Sequence, residues 1–125
     1  MTGLDSIVAV QGLCEKIRPN AVIAIDALVA KDKERLGSTI QISSTGIAAG
    51  SGVSAAKIAI NEESVGIPVI AIGVPTVIDA RILAGKEDLL GGETMFVSPK
   101  EINGIVKAAA RIIADGINQA FGISL

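Results

Sequence analysis

Two runs of nearly unbroken apolar residues organise this chain. One is residues 21–25, Ala21-Val22-Ile23-Ala24-Ile25, and the other is residues 67–74, Ile67-Pro68-Val69-Ile70-Ala71-Ile72-Gly73-Val74. Such uniform runs fit central strands buried on both faces. Pro68 is tolerable near a strand start, where a missing ladder donor matters least. Residues 38–43, Ser38-Thr39-Ile40-Gln41-Ile42-Ser43, alternate polar and apolar instead. That pattern marks a strand with one wetter face, nearer a sheet edge.

Helical spacing fills much of the rest. Leu4, Ile7, Val8, Cys14 and Ile17 recur at helical intervals behind a Thr2/Asp5 capping box, and Pro19 ends the segment. Residues 27–37 carry Lys31, Asp32, Lys33, Glu34 and Arg35 and read as a solvated connection. Residues 55–64 read as a short helix before Gly66. Thr76 and Asp79 resemble a second capping box, opening a helix through Val77, Ile78, Ile82 and Leu83 to Gly85. Residues 86–94 form a charged, glycine-containing loop. Ser98-Pro99-Lys100-Glu101 then supplies an N-cap, a first-turn proline and a reciprocal Glu. The stripe behind it, Ile102, Ile105, Val106, Ala109, Ile112, Ile113, Ile117, Ala120 and Phe121, is wide and apolar.

Apolar strands alternating with helices predict an α/β layer structure with a mostly parallel sheet. The 125 residues make a single domain, residues 1–125. Only three strands are clear, fewer than the roughly 5–6 of an ordinary sheet.

Composition narrows the chemistry. Half of the residues are hydrophobic, only 2% are aromatic, and histidine is absent. The core is therefore aliphatic, and Ser-His-Asp or Cys-His catalysis and most zinc sites are excluded; no metal and no cofactor is expected. A net charge of −2 with scattered basic residues lacks the basic face that nucleic acid requires. The single Cys14 has no internal disulfide partner and fits a reducing, cytoplasmic compartment, as a core thiol. No apolar run reaches the roughly 18 residues that span a bilayer, and the first residues lack signal-peptide regions.

Candidate chemistry centres on Asp26. It stands where the first apolar run stops, and open α/β sheets place ligands just beyond their strand ends. The same residue also fits an Asp capping the next turn or helix. The loop Thr45-Gly46-Ile47-Ala48-Ala49-Gly50-Ser51-Gly52 can present backbone N–H groups to an anion or oxyanion, and equally reads as a tight turn needing positive φ. It lacks the Lys of a P-loop. Asp79 follows the second buried strand, so it is a possible second acid beside Asp26 as well as a helix cap. Glu34, Glu62 and Glu63 lie in polar stretches and read as surface.

Longer motifs carry a resemblance. Val22-Ile-Ala-Ile-Asp-Ala-Leu28, Glu34-Arg35, Thr39-Ile-Gln-Ile42, Thr45-Gly-Ile47, Gly50-Ser-Gly-Val53, Gly66-Ile-Pro-Val-Ile-Ala-Ile-Gly-Val-Pro-Thr-Val77 and Asp79-Ala80 resemble, in order, the spore germination protease family. Ser98-Pro-Lys-Glu101 and Ala114-Asp-Gly-Ile-Asn118 resemble its carboxyl-terminal helix.

The resemblance implies a three-layer α/β/α fold like that of hydrogenase maturation proteases. It also implies an aspartic-type endopeptidase, made as a zymogen and assembled as a homo-oligomer. Its substrates would be the small acid-soluble spore proteins, degraded in the forespore or spore core at germination. One of the family's two implicated aspartates matches Asp26. The other lies in an upstream segment with no counterpart here, and the region before the last helix is shortened to residues 81–97. The family's Asp-Thr-Gly-Ile is here Ser44-Thr-Gly-Ile47, and its His-Pro is Ala48-Ala49. The expectation is therefore a carboxyl-terminal portion of such a protease, short of its N-terminal strands and inactive alone. The rivals are a non-enzymatic oligomerising α/β module and a small-anion-binding domain built on the Gly46–Gly52 loop.

Overall fold

The computed structural model of the protein describes residues 6–48, 59–85 and 95–123. The second apolar run becomes the longest strand, β3 (Val69–Asp79), and every other strand pairs with it. The first run becomes β1 (Val22–Ala30), parallel to β3, with Val22 opposite Val69 and Asp26 opposite Gly73. β2 (Gln41–Ser43) pairs with Ala71–Gly73 of β3 and runs antiparallel to it. β4 (Phe96–Val97) pairs antiparallel with Ile78 and Asp79.

Pro75 lies in β3 where neither β2 nor β4 pairs, and its carbonyl accepts from the Gly37 amide at 2.7 Å. Proline brings no N–H to a ladder, which suits a position that neither β2 nor β4 pairs, while β1 still pairs with it through Leu28. The β1–β3 register slips just beyond it, between Leu28 and Val29.

Alternation along the strands divides the sheet into two faces. Val22, Ala24 and Leu28 share one face with Val69 and Ala71, and this face carries the core. There Ile7 of α1 (Ser6–Ile17) meets Ile47, Ile60, Val69 and Ala71, all buried. Burial of an isoleucine of this kind stabilises by about 1.5–3 kcal/mol. α1 ends where Arg18 takes a left-handed φ of 49° and donates to the Cys14 carbonyl, just before Pro19. α2 (Glu62–Val65) closes the same side; Asn61 and Ser64 cap it reciprocally, and Gly66 ends it at φ 89°.

The opposite face carries Ile70 and Ile72. α4 (Ile102–Ala120) lies across it, yet none of its residues is buried. Cavities of about 390 and 470 Å³ separate the helix from the sheet, lined by Ile40, Ile72 and Val74 on one side and Ile105, Ile112 and Ile117 on the other. Gly37, at φ 69°, is the close approach, because a Cβ there would meet Ile105 Cδ1 at 2.9 Å.

Several expectations change. The sheet is mixed rather than mostly parallel: among the described residues one pairing is parallel and two are antiparallel. Hydrophobic pattern reports burial and carries no strand direction. β4, the fourth strand, is too short to leave a pattern. The helix expected from Thr76 does not form, because Thr76, Val77 and Ile78 continue β3, and α3 (Ala80–Leu83) is a single turn. The helix expected over 55–64 shrinks, among its described residues, to α2. Glu101 occupies the N-cap of α4 without a side-chain cap bond, so the expected capping box is not made there. Cys14 is half-buried rather than a core thiol. The Thr2/Asp5 box and the 86–94 loop lie outside the described residues.

Candidate functional site

Asp26 sits in the middle of β1 rather than at its end, because the strand runs on through Ala27, Leu28 and Val29 to Ala30. β-branched and aliphatic residues on both sides of the acid keep the backbone extended. The strand-end placement and the helix-cap role expected for it are both replaced by this position. By alternation its side chain shares the α1 face with Val22, Ala24 and Leu28. It is half-buried, and its Oδ1 accepts the Ala27 amide at 2.8 Å. There it borders a cavity of about 320 Å³ whose other walls include Ser6, Val10, Val22, Ile47 and Ile60. A second cavity of about 240 Å³ reaches Asp26 from the α4 face, between Ile25, Thr76, Val106 and Ile113.

Gly73 stands directly across from Asp26 on β3. The place a side chain there would take is filled by Leu28, whose Cδ1 lies 2.3 Å from the position of a Cβ on residue 73.

Thr45 and Gly46 follow β2 as a local turn. The Thr45 amide donates to Ser43 Oγ at 2.9 Å, and the two hydroxyls are 2.6 Å apart. Gly46 has φ 93°, and a Cβ there would lie 2.3 Å from the Ile60 carbonyl oxygen. Ile47 and Ile60 then exchange backbone hydrogen bonds of 3.0 and 2.7 Å. The positive φ expected of this loop is thus present at Gly46. Gly50, Ser51 and Gly52 lie outside the described residues.

Asp79 is the last residue of β3 and the N-cap of α3. It is buried, with 8% of its surface exposed. One carboxylate oxygen accepts from the Arg81 backbone N–H and from Arg81 Nε, both at 2.9 Å. The other accepts from Nε at 3.1 Å and also pairs with Nη2. The Arg81 side chain, and then its backbone N–H, hold the Asp79 carboxyl below the usual carboxylate range, while the pairing holds the guanidinium above its own. Asp79 lies six residues along β3 from Gly73, the partner of Asp26. At roughly 3.3 Å per residue, that separates the two acids by about 20 Å. The structure therefore does not bring them together.

Arg81 and Leu28 escaped the reading of the sequence. The Asp-x-Arg spacing was the available signal for Arg81; nothing local pointed to Leu28. Among the described residues, no group of three or more His, Cys, Asp or Glu is placed to hold a metal ion. No helix among them is long and apolar enough to cross a membrane.

Comparison with known proteins bears on these residues. The family model described as germination protease matches residues 1–90, a span that contains Asp26, Thr45, Gly46, Gly73 and Asp79. A germination protease of Clostridium perfringens (strain SM101 / Type A) is 40% identical over 158 aligned positions, covering 96% of this chain and 48% of the relative. One from Caldanaerobacter subterraneus subsp. tengcongensis is 36% identical over 157 positions, with the same coverage. One from Bacillus mycoides (strain KBAB4) is 55% identical over 80 residues, 64% of this chain and 22% of the relative. The chain thus spans about half the length of the Clostridium relatives that it matches.

Proposed function

Because the chain belongs to the germination protease family, we propose that it carries part of an endopeptidase of the aspartic type. The substrates are small acid-soluble spore proteins, and the reaction takes place in the forespore or spore core at germination. Asp26 is the acid that this chain contributes. The observation that carries the assignment is its position: a half-buried carboxylate in the middle of a core strand, bordering a cavity, within the segment matched to the family.

In this reading Asp26 and a second carboxylate share one proton. One takes a proton from the attacking water while the other supplies one to the peptide group. Asp79 is assigned to structure, since its lowered carboxyl and its distance from Asp26 suit a cap and an ion pair. The second acid then comes from elsewhere, and the isolated chain is inactive. The turn at Thr45 and Gly46, with Gly50, Ser51 and Gly52 farther along the sequence, is the candidate substrate or oxyanion loop, because Ile47 beside the turn lines the same cavity as Asp26.

The same family reading includes synthesis as a zymogen and a three-layer arrangement like that of hydrogenase maturation proteases. Support for the layering comes from α1 and α4, which line cavities on opposite faces of the sheet. Self-association is part of the proposal as well, supported by large apolar side chains left exposed at Ile25, Ile42, Ile70, Ile112 and Phe121. Protein, not nucleic acid or membrane, is the partner. The deciding experiment replaces the counterpart of Asp26 by Asn in a full-length relative and assays cleavage of an acid-soluble spore protein. Retained cleavage would remove the catalytic assignment.

A further inference from the structure

We infer that Leu28, seated on Gly73, is a positioning residue for Asp26; the inference rests on Asp26 being the acid proposed above. Paired residues on neighbouring strands are about 5 Å apart and point to the same face. A side chain on residue 73 would therefore be the nearest cross-strand neighbour of Asp26. Gly73 supplies none. Instead, Leu28 fills that place, with Cδ1, Cγ and Cδ2 at 2.3, 2.6 and 3.1 Å from the position of a Cβ on residue 73.

Leu28 is two residues from Asp26 on the same strand and the same face, so it bounds the carboxylate both along the strand and across it. Beyond Leu28 the acid borders the cavity walled by Val22, Ile47 and Ile60, and a second cavity reaches it from the α4 face. An aliphatic wall confines the acid without offering it a hydrogen bond, so it narrows the rotamers without competing for the proton. Two further observations fit this role. Glycine in a strand interior weakens the strand, and its usual reason is a close approach; here the approaching group is Leu28. The β1–β3 register also slips immediately after Leu28, and bulges re-aim side chains beside functional sites.

The test uses the chain itself and needs no activity. Three-bond NMR couplings report the χ1 rotamer of Asp26 in the parent, in L28A, in G73A and in the double variant L28A/G73A, with thermal melts alongside. The parent is expected to show one dominant rotamer. L28A opens the slot, and the couplings move toward rotamer averaging. In L28A/G73A the new methyl on β3 re-enters the slot, and the couplings return toward the parent. Couplings in folded L28A that match the parent would overturn the inference. So would averaging in L28A that the double variant does not reverse, since loss of strand packing alone then explains it. G73A alone forces Leu28 aside and is expected to change the couplings if it folds; if it does not, L28A and the double variant decide. The cleavage assay with Asn in place of the acid is read separately, so failure of the catalytic reading and failure of the positioning role give different results.

Discussion

Asp26 and Asp79 lie on strands paired along nine registered positions, yet they sit about 20 Å apart. Asp26 faces Gly73 in the middle of the ladder, whereas Asp79 is at the far end of β3, held by Arg81. A shared proton needs contact between carboxyls. The two acids most visible in the sequence therefore cannot share one proton across this separation.

The first prediction concerns cleavage. The isolated chain should leave an acid-soluble spore protein intact over long incubation. In a full-length relative, Asn at the position matching Asp26 should lower the cleavage rate by about 10²–10⁴-fold, the usual contribution of a positioned acid or base. Cleavage by the isolated chain that is abolished by D26N would instead place the complete acid pair within these 125 residues.

A second prediction compares two glycines of nearly equal backbone angle. Gly46 (φ 93°) is crowded by the Ile60 carbonyl, whereas Gly66 (φ 89°) has nothing within 4 Å of a Cβ. G66A pays only for left-handed backbone, about 1–2 kcal/mol. G46A adds a collision with main chain and should cost clearly more than G66A, beyond about 2 kcal/mol. Denaturant unfolding of both variants measures the difference, and equal losses would refute the close approach at Gly46.

Acid stability supplies a third. Arg81 lowers the Asp79 carboxyl in the folded state, while an unfolded Asp titrates near about 3.9. The unfolded chain therefore binds this proton more readily. The stability contributed by Asp79 is complete above the unfolded value and is lost as pH falls through the lowered folded one. Melting temperatures of the parent should drop below about pH 4 more steeply than those of D79N. D79N keeps the cap, because Asn caps about as well as Asp, but it loses the ion pair. D79A loses both and should be the less stable of the two at neutral pH. Parallel pH profiles for the parent and D79N would contradict the ion pair.

Self-association is the fourth. Ile42 is 72% exposed and Ile70 42% on the sheet face under α4, with Ile112 and Phe121 exposed on the helix itself. Contiguous apolar surface of this kind drives association. Light scattering should show oligomers at high concentration, shifted toward monomer by I42K. A monomer at all concentrations would show that this surface is tolerated in water.

How much of this was legible in the chain follows from the range of each signal. Periodicity is local, so α1, α4 and the cores of β1 and β3 could be read directly, as could an acid next to the first apolar run, though not its place inside the strand. The positive φ of Gly46 was legible as well, since small residues crowd where a turn demands them. Strand direction and strand length were not. β2 and β4 run antiparallel to β3, and β1 and β3 outrun their apolar runs, because ladder bonds between distant segments set those limits. Only the tertiary structure decided where the two carboxyls sit. It put Asp79 onto Arg81 and kept it from Asp26 through the β1–β3 register. It also laid Leu28 over Gly73, a contact between residues 45 positions apart that no local pattern encodes.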